Sequence, residues 1–92
     1  MSVVIVGGHE CMVRQYKELC NEYNCKAKVY SKMNNGLKGL GTPDLLVLFT
    51  GTVSHKALYT VMKQIKGQKV KVARAHSGSI AALKTILREH TS

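Results

Sequence analysis

Ser2-Val3-Val4-Ile5-Val6-Gly7-Gly8-His9-Glu10 decides how the rest of the chain is read. Val3 to Val6 is an unbroken β-branched run, the pattern of a short strand buried on both faces. Gly7 and Gly8 permit a tight turn, and from Glu10 to Tyr23 the chain holds neither Gly nor Pro. Within that segment Val13, Tyr16, Leu19, Cys20 and Tyr23 recur at three- and four-residue steps, which predicts an amphipathic helix. A buried strand turning into a helix is the repeating unit of α/β sheets, which place ligands at the carboxyl ends of their strands.

Working outward, Asn24 suits the helix end because Asn tolerates left-handed backbone. Lys26-Ala27-Lys28-Val29-Tyr30 alternates polar with apolar, as an edge strand does. Ser31 to Pro43, with three glycines and two asparagines around Leu37 and Leu40, reads as a loop. Asp44-Leu45-Leu46-Val47-Leu48-Phe49 is a second buried strand. A helix follows from about His55 to Lys66, capped by Ser54 or Thr52 and ended by Gly67. Lys69-Val70-Lys71-Val72-Ala73 alternates again, Arg74 to Ser79 is a turn with a cap, and Ile80, Leu83, Ile86 and Leu87 mark a last helix running to about His90.

The order of elements calls for a small Rossmann-like α/β fold with a four-stranded parallel sheet and three main helices. Continuously apolar strands belong inside and lysine-bearing ones at the edges, giving the order 2-1-3-4. Right-handed crossovers then put the first helix on one face and the helix after the third strand on the other. The second face is expected to be thinly covered, so that Leu37 and Leu40 offer a homodimer surface or a lid.

At 92 residues the chain is expected to be one domain, 1–92, with little stability to spare. Its residues are 45% hydrophobic, yet no stretch approaches the roughly 20 apolar residues of a membrane helix. The start of the chain lacks a cleavable signal pattern and its three cysteines are an odd number, so a cytoplasmic protein with reduced thiols is expected. The formal charge of +9 directs attention to anionic partners, although the lysines are dispersed instead of massed.

In this topology His9, His55 and His76 all follow strands and fall at one edge of the sheet. Converging imidazoles suit zinc, non-haem iron or haem, with Glu10, Cys11 or Met12 as an additional ligand. For haem, Arg14, Lys56 and Arg74 would face the propionates, and Met12, Met33, Tyr16 and Tyr59 would supply an apolar slot. The same edge is suited to a phosphate, through helix starts near Glu10, Ser54 and Ser79 and the hydroxyls of Thr50, Thr52, Ser54 and Ser77. Gly7-Gly8-His9-Glu10 lacks the spaced glycines of a dinucleotide loop, and Glu10 repels phosphate. The third strand ends in Phe49-Thr50 where a phosphorelay receiver carries an aspartate, and no serine or cysteine shows an assured base, so a hydrolase is disfavoured.

Ile5-Val6-Gly7-Gly8-His9-Glu10, Gln15-Tyr16-Lys17, Pro43-Asp44-Leu45, Thr52-Val53-Ser54-His55-Lys56 and Ala75-His76-Ser77 together resemble the small bacterial family catalogued as domain of unknown function twenty-three twenty-five, over nearly the whole chain. The resemblance implies a short Rossmann-like module and an association with haem and dioxygen binding. It moves haem ahead of zinc, with His9, His55 and His76 as the positions to carry it. The expectation is a non-enzymatic haem or transition-metal protein, a homodimer, for gas binding, sensing or electron transfer. The alternatives are a basic module for nucleic acid or nucleotide phosphate, and a dimerisation or scaffold domain.

Overall fold

The computed structural model describes residues 1–30 and 43–91. The expected loop from Ser31, with Met33, Leu37 and Leu40, lies outside these residues for all but Pro43. The described elements are β1 (Ser2–Val6), a 3-10 turn at Glu10–Met12, α1 (Val13–Glu22), β2 (Lys26–Tyr30), β3 (Leu45–Phe49), a 3-10 turn at Thr50–Thr52, α2 (His55–Ile65), β4 (Lys71–Ala75) and α3 (Ile80–Thr91). The strands form a parallel sheet in the order β2-β1-β3-β4. The α/β class, the strand order and the three helices are those expected from the sequence.

Strand alternation divides the core into two layers. Val3, Ile5, Leu45, Val47, Phe49 and Ala73 point to the side where α1 brings Tyr16, Leu19 and Cys20 and α3 brings Leu83, Ile86 and Leu87. Val4, Val6, Leu46 and Leu48 point to the other side, against Val61 and Ile65 of α2. Complete burial of such a side chain contributes about 2 kcal/mol, so the two central strands, which bury it on both faces, are the main hydrophobic anchor. The second side is covered by α2 alone among the described helices, as the crossover argument required.

Local chemistry ends each element. Asn24 takes φ +59°, Asn24 N–H donates to Asn21 O, and Cys25 N–H donates to Cys20 O, the paired bonds of a Schellman motif whose apolar contact is Cys20 with Cys25. Ser54 Oγ accepts the Ala57 N–H at 3.2 Å to cap α2, and Ser79 Oγ accepts the Ala82 N–H at 3.2 Å at the start of α3. Of the two caps read for α2, Ser54 is the one used.

Two strand boundaries differ from the sequence reading. Asp44 lies before β3 and braces the amino edge, accepting the Ser2 N–H on Oδ2 at 2.7 Å. The fourth strand spans Lys71–Ala75 instead of Lys69 to Ala73, because pairing with β3 runs from Leu45 opposite Lys71 to Phe49 opposite Ala75. Arg74 and Ala75, read as turn, are therefore strand.

Candidate functional site

The loops after β1, β3 and β4 meet at the carboxyl edge of the sheet, and the sequence fits them together with almost no free space. Gly7 has φ +94° and its N–H donates to Tyr30 O; a Cβ here would lie 2.4 Å from Val53 Cγ2. Gly8 has φ +86° and faces the Tyr16 ring and hydroxyl. Gly78 abuts Gly8, so that a Cβ on Gly78 would stand 2.9 Å from the Gly8 Cα. Gly51 lies under His76, its N–H donating to His76 O at 2.9 Å. All four glycines are required by contact, and Gly7 and Gly8 by backbone angle as well.

Two side chains bind these loops to one another. Thr52 Oγ1 accepts the Gly8 N–H at 2.7 Å and donates to Phe49 O at 3.0 Å, spanning the crevice between β1 and β3. The N–H that a phosphate would use in a strand-to-helix turn is thereby taken by a side chain of the protein itself. Tyr16, fully buried in α1, accepts the His9 N–H at 3.1 Å and gives its own proton to Gly78 O. Its ring packs on Phe49 with centroids 5.6 Å apart. Of the two roles the sequence offers Tyr16, the apolar face of the first helix and an apolar slot for haem, the structure shows the first, with the hydroxyl clamping two loops.

Around this frame the three histidines are exposed. His9 follows β1, His55 is the first residue of α2, and His76 follows β4 with its ring over Gly51. Arg14, Lys56, Arg74 and Ser77 are exposed as well. Arg14 Nε lies 3.2 Å from Glu18 Oε1, a solvent-facing pair that holds the guanidinium weakly. Ser54 has its oxygen engaged as a cap. Glu10 and Cys11 are exposed, whereas Met12 leans on the core with Sδ 3.9 Å from the Tyr16 hydroxyl.

Among the described residues no group of three or more His, Cys, Asp and Glu side chains is placed to hold a metal ion. Two clefts lie away from this edge, one of about 650 Å³ bounded by Tyr23, Thr85, Arg88, Glu89 and Thr91, and one of about 390 Å³ at the amino edge bounded by Met1, Asp44, Lys69, Lys71 and His90. No described helix is long and apolar enough to cross a membrane.

A family model described as "Uncharacterized protein conserved in bacteria (DUF2325)" matches residues 2–90. The chain belongs to the DUF2325 family. Neither a curated protein nor a solved structure matches it. The match runs from β1 through α3, so the loops after β1, β3 and β4 with their histidines all lie inside the DUF2325 region.

The sequence reading missed two contributors to this edge in the DUF2325 chain. Thr52 was assigned as a cap or an anion-binding hydroxyl, and Gly78 only as part of a turn. The available signal was a glycine in each loop that follows a strand on the carboxyl edge, Gly7-Gly8, Gly51 and Gly78, which marks close backbone approach.

Proposed function

We propose that this chain is a non-enzymatic haem-binding protein serving dioxygen or other gas binding, sensing or electron transfer, with its axial ligand drawn from His9, His55 and His76. The observation that carries this reading is the exposure of all three imidazoles at the same sheet edge, His9 and His76 on the turns after β1 and β4 and His55 at the start of α2. Haem brings four nitrogen ligands of its own and asks the protein for one axial imidazole, so single exposed histidines fit it where they do not fit a bare ion. Arg14, Lys56 and Arg74, exposed near the same loops, are suited to propionates as charge-assisted donors. When bound, haem supplies the iron at which a gas ligand is held. The chain supplies the orientation: the His9 backbone is fixed by Tyr16, and the His76 backbone by Gly51.

Hemin titration followed by visible absorption tests the reading. A saturable Soret shift that is lost on His9→Ala, His55→Ala or His76→Ala is expected. Absence of saturable binding, or binding unaltered in all three variants, overturns it.

A further inference from the structure

The exposed face of α2 is a second surface, which meets the histidine edge only at Lys56. Lys56, Tyr59, Lys63 and Lys66 follow one another at steps of three, four and three residues. At 100° per residue Lys56, Tyr59 and Lys63 fall on one stripe, opposite the buried Ala57, Val61 and Ile65, and Lys66, the C-cap residue, follows at the end of the helix. Tyr59 is 71% exposed, unlike the chain's other tyrosines, and it stands between two lysines.

Charge is segregated in the same direction. The chain's five acids are Glu10, Glu18, Glu22, Asp44 and Glu89. Glu18 and Glu22 are on α1 and Glu89 on α3, both on the other side of the sheet. No acid lies on α2. Strand alternation adds Lys26 and Lys28 of β2 and Arg74 of β4 to the α2 side, because they share the register positions of Tyr30 and Val72, which pack there.

From these observations we infer that the α2 face binds single-stranded nucleic acid, with bases stacked on Tyr59 and backbone phosphates on Lys56, Lys63 and Lys66. From Lys56 to Lys66 the track covers about 15 Å. A cationic track with an aromatic ring set into it is what unpaired strands recognise, since every base offers a π-face and every nucleotide a phosphate. A duplex hides its base faces and leaves the ring unused. A lipid surface requires an apolar helix face, and that of α2 is buried against β1 and β3. A second copy would bring the same positive face and be repelled.

Fluorescence anisotropy of a labelled oligothymidylate against the intact chain, over a salt series, provides the test. Salt-dependent binding is expected. Joint replacement Lys56→Gln, Lys63→Gln and Lys66→Gln should lower the log–log salt slope by about 2, near 0.7 for each phosphate no longer neutralised. Tyr59→Ala should weaken binding about tenfold with the slope unchanged, and Tyr59→Phe should restore it. Tyr59→Trp supplies an independent reading, as indole emission should be quenched on adding the strand. Circular dichroism verifies that each variant is folded. The proposal is overturned by equal binding of Tyr59→Ala and the parent chain, by equal affinity for a duplex, or by equal competition from polyglutamate or anionic vesicles. An unquenched Tyr59→Trp overturns it as well.

Discussion

The Tyr16 hydroxyl and the His9 backbone N–H are joined by a 3.1 Å hydrogen bond that ties the core of α1 to the turn after β1. The same oxygen donates to Gly78 O, so one buried atom serves two loops.

Tyr16→Phe keeps the ring against Phe49 and strands the His9 N–H and the Gly78 C=O. The cost of the broken pair is about 1–3 kcal/mol, read as a lower urea midpoint with unchanged m. Hydrogen exchange of the His9 amide should accelerate in step. An unchanged His9 exchange rate would contradict the clamp.

The glycines separate steric from conformational cost. Gly8 and Gly67 share φ +86°, yet a Cβ on Gly8 meets the Tyr16 hydroxyl at 2.8 Å while nothing lies within 4 Å of one on Gly67. Gly67→Ala should cost about 1–2 kcal/mol, the left-handed penalty alone. Gly8→Ala should cost more, and thermal melts of the two variants make the comparison.

The α1 cap predicts opposite effects at one position. Asn24→Gly should leave stability unchanged or slightly higher, since glycine adopts the left-handed region freely. Asn24→Val should destabilise by about 1–2 kcal/mol, because a β-branched residue resists φ +59°. Paired denaturant curves read both.

The cysteines differ in accessibility. Cys11 is exposed while Cys20 and Cys25 are buried, so thiol labelling of the native protein should give one fast equivalent and two that wait for unfolding. Burial, reinforced by Cys25, pushes the Cys20 thiol from 9.0 to about 11. Below pH 9 both folded and unfolded states keep this proton and it contributes no pH dependence. Between pH 9 and 11 the unfolded state loses the proton first, so stability falls as pH rises through that window. Cys20→Ala should flatten that part of the profile relative to the parent chain.

The strand order was legible because Val3–Val6 and Leu45–Phe49 have no polar face and the lysine strands have one. The left-handed stop at Asn24 and the Ser54 cap were legible for an equally local reason. The limits of β4 were not, since Lys69-Val70 continues the alternation of Lys71-Val72 and only pairing with β3 selects among the registers. The histidine edge was visible as a topological consequence. How its loops interlock was not, because Thr52 with Gly8 and Tyr16 with Gly78 are separated by 44 and 62 residues, and no local pattern encodes them.

Gly8 and Gly78 belong to turns after strands that are not neighbours, β1 and β4, and touch across the end of β3. Where the two glycines touch, backbone meets backbone, so only a main-chain movement parts them there. The separation between the His9 and His76 turns is therefore set before any ligand arrives. Under the proposed reading, a ligand that fits this span would meet little ordering cost, and one that needs a wider span would have to force the two turns apart.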